Sequence, residues 1–281
     1  MKSGTLYVAH TANDSIDVID CHRDKYLRSI PDLPGVAGVL VSNEKDLVFT
    51  SNRGEKTVGI FPHGQEEKLE KVKVGGFPNG LAFDPTQGHL LAANVSKPEV
   101  PSPITASIVD AGKKVLISDI VVPGPTRWVV FDSKRERFYV NISKPSEIVI
   151  VNSGDPDGIT CSYEVPATGP HGLDIDLEGR RLFCACDQGG LFTVDLAVGT
   201  VSYASGLRGT PDVIFYNPIR KHLYITIGDP GLIEVFDTEA MKLIQTVRTE
   251  QGTHTIGFNP DTHKVYAFMP ESHRASVYVD E

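Results

Sequence analysis

Six positions along this 281-residue chain carry side chains of different chemistry inside one recurring phrase: Ala37, Asn79, Arg127, His171, Asp212 and His254. After each come two or three small or apolar residues and then an acidic, amide or serine turn, as in Pro78-Asn79-Gly80-Leu81, Thr126-Arg127-Trp128-Val129, Pro170-His171-Gly172-Leu173 and Pro211-Asp212-Val213-Ile214. Imidazoles move protons near neutral pH or ligate a transition metal, and a carboxylate beside them serves either task. Arg127 brings a permanent charge whose fork suits a carboxylate or phosphate. Asn79 offers an amide to a hydroxyl or carbonyl. Polar, dissimilar residues at one repeat position point to a ligand, because structural filler there would be small or apolar.

Such chemistry requires the copies to converge, so the elements that carry them come next. Fifteen residues after each variable position a second strand reaches its end, at Asn52, Asn94, Ile142, Cys186, Ile227 and Met269. An unvarying interval predicts a hairpin of fixed register, since a slip of one residue would turn every side chain to the opposite face. Around each hairpin runs a unit of about 41 to 48 residues, opening at Leu6-Tyr7-Val8-Ala9-His10, then Ser15-Ile16-Asp17-Val18-Ile19-Asp20, then Tyr26-Leu27-Arg28-Ser29-Ile30. The segments are short, rich in Val, Ile, Tyr, Phe and Thr, and separated by Gly, Pro, Asn or Asp. No stretch keeps helical periodicity over ten residues. Four short strands to a unit of this length predict an all-β chain, a β-propeller, as a single domain over residues 1–281.

The same segments resemble a known family. Leu6-Tyr7-Val8-Ala9-His10 with Ser15-Ile16-Asp17-Val18-Ile19-Asp20, and Pro78-Asn79-Gly80-Leu81-Ala82-Phe83-Asp84-Pro85, look like the YVTN-type repeat of bacterial and archaeal β-propellers. The resemblance covers nearly the whole chain and implies the fold. Similar repeats occur in surface-layer proteins, periplasmic binding proteins and lactonase- or lyase-type propellers, so for function it implies a reaction class without carrying over residues. The Glu and Asn pattern of calcium-dependent lactonase propellers is not reproduced.

The second-strand beat occurs seven times but the phrase strand six times. Seven blades are expected, with incomplete terminal blades: Leu6–Thr11 near the axis of the first, and no fourth strand after Ala275–Val279. Six blades with unusual closure is the alternative. Lys97-Pro98-Glu99-Val100-Pro101-Ser102-Pro103 reads as an extended insertion, barred by its prolines from regular pairing. Lys68, Lys71 and Lys73, alternating with Leu69, Val72 and Val74, read as the charged face of an outer strand.

In a propeller the variable residues ring one axial pocket. His171, Asp212 and His254 then come from successive blades, the next blade round contributes His10, and Arg127 faces them. Three readings stand. One is a divalent zinc, iron or manganese ion held by His10, His171, Asp212 and His254, with a position left for water or substrate. Another is a metal-free acid–base site in which His171 or His254 moves the proton. In the third the histidines serve structure alone. Cys186 and Met269, with His10, form a softer set suited to copper, a thin signal because Ile142 and Ile227 fill the same position.

The resulting expectation is a small, anionic molecule bound by Asn79 and Arg127. If the site is catalytic, the expected chemistry is lactone hydrolysis, elimination or isomerisation, with His171 or His254 moving the proton and Arg127 holding the carboxylate or stabilising an enolate-like charge. The rival is a non-catalytic scaffold that captures a protein on its face or rim. A net charge of −9 argues against nucleic acid and anionic membranes as partners. Met1-Lys2-Ser3-Gly4 runs into a strand without the apolar core of a signal peptide, and four cysteines without evident mates suit a reducing compartment, so a cytoplasmic setting is expected.

Overall fold

The computed structural model describes residues 4–95 and 103–281. Among them every sheet is an antiparallel meander. The first holds β1 (Thr5–His10), β2 (Ser15–Asp20) and β3 (Lys25–Ile30). The second holds β4 (Val36–Ser42), β5 (Leu47–Asn52), β6 (Thr57–Pro62) and β7 (Glu70–Lys73). Next come β8 (Phe77–Asp84), β9 (His89–Val95), β10 (Thr105–Asp110) and β11 (Val115–Val121). The fourth sheet is β12 (Thr126–Asp132), β13 (Arg137–Ile142), β14 (Glu147–Asn152) and β15 (Cys161–Glu164). The fifth is β16 (Pro170–Asp176), β17 (Arg181–Cys186), β18 (Gly190–Asp195) and β19 (Val201–Gly206). The sixth is β20 (Pro211–Asn217), β21 (His222–Ile227), β22 (Leu232–Asp237) and β23 (Lys242–Arg248). The seventh is β24 (Thr255–Asn259), β25 (Lys264–Met269) and β26 (Arg274–Val279).

These are the seven blades of a β-propeller, and the six-bladed alternative is set aside. The first and last sheets have three strands each, as the repeat count anticipates: β1 carries the second-strand beat, and β26 the third. The chain divides into two compact units, one of residues up to Pro145 with Val149–Ser162, the other of Ser146–Ile148 with Tyr163–Glu281.

The fixed interval has a local cause. Each phrase strand runs into a turn capped by its last polar side chain. Asp84 Oδ1 accepts the N–H groups of Thr86 and Gln87 at 2.7 and 3.2 Å, and Asn217 Oδ1 those of Ile219 and Arg220 at 3.1 and 3.2 Å. The residue before the second strand is left-handed every time: Asp46, Gly88, Glu136, Arg180, Lys221 and His263, with φ from 53° to 74°. One turn type reused six times holds the hairpin register constant.

Uniform pairing breaks down at the variable residue itself. Val36 pairs with Asn52 and Gly38 with Ser51, so Ala37 has no counterpart. Shifts of the same kind fall between Pro78 and Leu81, Thr126 and Val129, Pro170 and Gly172, and Pro211 and Ile214. A bulge therefore sits on every one of these variable residues and re-aims its side chain out of the ladder.

Packing follows from the middle strands, which are largely buried and mostly apolar, with a few buried polar residues such as Thr50, Asn94, Asn141 and Thr226. In the first unit Val72 and Val74 pack with Phe83, Leu90 and Val109 of the next blade, and Ile120 and Val122 with Val129, Phe138 and Val149. In the second, Phe183, Ala185 and Leu191 meet Ile214, Ile225 and Phe236. Burying each large aliphatic or aromatic side chain contributes about 1.5–3 kcal/mol. β7 is the outer strand foreseen, with Val72 inward and Lys71 bonded to Glu55 and to the Asp32 carbonyl, but it is shorter than expected: Lys68 closes a 3-10 turn over Glu66–Lys68 and Leu69 caps it, so both precede the strand. Cys184 and Cys186 lie 4.0 Å apart sulfur to sulfur, and neither of them, nor Cys21 or Cys161, is joined in a disulfide. Of the proline-rich insertion, residues 97–102 lie outside the described residues. No helix among the described residues is long and apolar enough to cross a membrane.

Candidate functional site

In the second unit the bulges of β16 and β20 bring two of the foreseen residues into contact. His171 Nε2 lies 3.2 Å from Asp212 Oδ1. Two features of the phrase allow this. Gly172 admits the neighbouring backbone: a Cβ there would stand 2.4 Å from the Asp212 carbonyl oxygen. Beyond it, the Val213 N–H donates to the His254 carbonyl at 3.4 Å, and Thr226 Oγ1 donates to both the Val213 and His254 carbonyls at 2.8 Å. The backbones of His171, Asp212 and His254 thus follow one another along a single arc.

A residue that the repeat analysis passed over completes the contact. Asp187, directly after β17, places Oδ1 2.7 Å from His171 Nδ1. Both ring nitrogens of His171 therefore face carboxylates. Burial pushes its pKa down, but the hydrogen bond and charge of Asp212, then those of Asp187, outweigh this and hold it above the ordinary 6.5. His254 differs. Its Nδ1 bonds the Gly252 carbonyl at 2.6 Å, the ring is exposed, and Nε2 is left as the acceptor nitrogen.

Asp174, three residues past His171 on β16, is a second unforeseen member. Its Oδ2 accepts the Tyr216 N–H of β20 at 2.6 Å and its Oδ1 the Ile175 N–H at 2.8 Å. Burial pushes its carboxyl up to about 7, against the pull of those two N–H groups. The sequence did contain a signal: the same repeat position elsewhere holds Leu40, Ala82, Val130, Phe215 and Gly257, none of them charged.

In the first unit Asn79 and Arg127 follow one another in the same way. A Cβ on Gly80 would meet the Arg127 carbonyl oxygen at 3.0 Å, and one on Gly38 the Asn79 carbonyl oxygen at 2.6 Å. Arg53, at the repeat position that holds Asp187 in the fifth blade, donates from Nη2 to Asn79 Oδ1. Arg53 too was missed, because nothing in one repeat says which partner the next will offer. Arg127 and Asn79 are both half-buried. His10 ends β1 with Nδ1 3.0 Å from Asp17 Oδ2.

Among the described residues no cluster of three or more His, Cys, Asp or Glu side chains has the arrangement of a metal site. Of the softer set, Cys186 is fully buried, and Met269 Sδ accepts from Ser276 Oγ at 3.5 Å. Glu271 and His273 are exposed turn residues.

No protein-family model and no curated protein matches the chain. Among solved structures it is similar to the hydrazine synthase of Kuenenia stuttgartiensis, with a TM-score of 0.86 at 14% identity over 99% of this chain and 92% of that one. A functionally unknown protein from Desulfotomaculum acetoxidans is similar with a TM-score of 0.82 at 12% identity, over 99% and 92% of the two chains. At such identities the likeness concerns the fold alone.

Proposed function

We propose that the phrase-strand arc of the second unit binds a small, anionic molecule and moves a proton on it, with His171 as the acid–base group. The observation that supports this is the double carboxylate clamp on His171. Asp187 fixes the proton on Nδ1, so Nε2 is the nitrogen that gives and takes a proton. At rest that nitrogen faces Asp212. A ligand carboxylate takes the place of Asp212 as acceptor and supplies the negative charge that Asp212 gave, so that with Asp187 still on Nδ1 His171 works as a general acid. Lactone hydrolysis, elimination and isomerisation each need one such transfer. In the first unit Arg127 and Asn79, with Arg53, are assigned to an anionic group, which the guanidinium fork suits.

His254 favours a second reading, in which a zinc, iron or manganese ion is held by His254 with His171 and Asp212 beside it. Its Nδ1 donates to a backbone carbonyl and its Nε2 is left for a ligand bond, the posture of many metal-bound histidines. This reading requires His171 to give up one carboxylate partner.

Histidine-resolved NMR titration distinguishes the two. On the acid–base reading the His171 ring titrates above 6.5 in metal-depleted protein, and Asp187→Asn lowers that pKa. Small hydroxy acids and lactones then shift the His171 resonances, and His171→Ala abolishes their binding. Stoichiometric metal in the purified protein, lost in His254→Ala, would move the assignment to the second reading. Silence of His171 toward every ligand, with capture of a protein that survives both substitutions, would leave a scaffold.

A further inference from the structure

Glu234 sits in the middle of β22 without access to solvent, and neither of its carboxylate oxygens is hydrogen-bonded. Its neighbours on the same face of the strand, Leu232 and Phe236, belong to an apolar cluster with Leu191 and Ile214. The third residues of β6, β10, β14, β18 and β26 are Gly59, Ser107, Val149, Phe192 and Ser276, none of them charged. The charge that faces Glu234 is Arg208, whose Nε lies 3.4 Å from Oε1. Burial pushes the Glu234 carboxyl above its ordinary range, and Arg208 pulls it back only in part. Such a pair adds little to stability, since an apolar side chain would serve the cluster as well. What it does is hold a guanidinium in place.

The Arg208 side chain is 59% accessible, and among the described residues Glu234 is its one charged partner. Its backbone is placed by the residues on either side. The Leu207 N–H donates to the Gly189 carbonyl at 2.8 Å, and Thr210 Oγ1 to the Asp187 carbonyl at 3.4 Å. A Cβ on Gly209 would meet the Asp229 carbonyl oxygen at 2.3 Å, so the loop is wedged between the turns that follow β17 and β21. Asp187 opens the first of those turns and holds His171 Nδ1, while Asp212, which faces Nε2, follows Arg208 on the same short run into β20. The exposed guanidinium therefore belongs to the rim of the His171 site. The first blade uses the same repeat position alike: Asp17, the third residue of β2, holds His10 Nδ1 at 3.0 Å.

We propose that Arg208, braced by Glu234, receives a second carboxylate of the ligand whose first carboxylate meets His171, so that the substrate is a small dicarboxylic acid. This rests on the acid–base reading of His171 given above and names the ligand class for it. With Nε turned to Glu234, the two terminal nitrogens are left as a fork, and a carboxylate fits that fork with two parallel hydrogen bonds. Glu234 acts only through Arg208: it fixes the direction of the fork before the ligand arrives, so little side-chain freedom remains to be lost on binding.

The His171 ring resonances report binding to the full chain. The probes are 2-hydroxy diacids from malate to 2-hydroxyadipate, each set against the 2-hydroxy monoacid of equal carbon number. A diacid is expected to bind roughly tenfold more tightly than its monoacid counterpart. Arg208→Met is expected to erase that ratio, which a merely structural defect would leave alone. Glu234→Gln keeps the shape of the side chain, frees the fork and lowers the ratio in part. Arg208→Met leaves Glu234 buried without its partner, so Arg208→Met/Glu234→Leu is the second variant; folded by circular dichroism, it is expected to show the same lost ratio. Diacids that bind no tighter than monoacids, or a diacid preference that survives the loss of Arg208, overturn the proposal and leave His171 as an acid–base group. A His171 silent toward every acid overturns both.

Discussion

His171 and Asp174 lie three residues apart on β16, and both owe their ionisation to where the strand puts them. The folded pKa of each lies above its unfolded value, His171 through its two carboxylates and Asp174 through burial. A group shifted upward binds its proton more tightly in the folded state, so its contribution is whole below the unfolded pKa and is lost as pH rises through the folded one. For Asp174 that window runs from the ordinary 3.8 to about 7; for His171 it begins at 6.5. Asp174→Asn keeps an acceptor for the Tyr216 N–H and removes the titration. Its melting temperature is expected to exceed that of the wild type at pH 8 by more than at pH 5. An equal difference at both values would mean that Asp174 is ionised throughout.

At the scale of the element, the bulge and the glycine after it do separate jobs. The bulge frees the variable side chain from the ladder, and the glycine lets the next blade's carbonyl come close. Gly172→Ala forces a methyl group to within 2.4 Å of the Asp212 oxygen and 2.8 Å of Ile214 Cγ2. Crowding of this kind costs about 1–3 kcal/mol, readable as a lower urea midpoint. The retreat of β20 from β16 should also bring the His171 pKa down, since it takes Asp212 away from Nε2. Gly154→Ala is the matched control, for a Cβ there meets nothing within 4 Å and the stability should hardly move.

Across the whole molecule, stability is graded by how many neighbours a strand has within and beyond its sheet. Second strands such as β13 and β17 are flanked on both edges and buried at all but one residue. β3 and β26 are sheet edges, the first exposed at all but its last residue and the second at all but Ser276 and Tyr278. Amide hydrogen exchange is expected to be slowest in β13 and β17 and fastest in β3 and β26, because opening an edge strand exposes little apolar surface. Uniform protection across all four strands would contradict this grading.

The repeat carried much of this protein in plain sight. Composition and short alternating segments fixed strands over helices, and the seven second-strand beats fixed the blade number. Repetition also made His171 and Asp212 neighbours, since equal positions in successive blades must fall side by side. It could not announce Asp187, Arg53 or Asp174. Arg53 and Asp174 act through partners in the next blade and Asp187 through His171 across its own hairpin, at distances that a residue count does not reveal. Nor does composition separate β26 from β22: both read as apolar strands, and the presence of a fourth strand beside one and not the other decides which is core and which is edge. Local pattern follows from the chain's own chemistry, whereas ionisation and exposure depend on what tertiary packing sets against each residue.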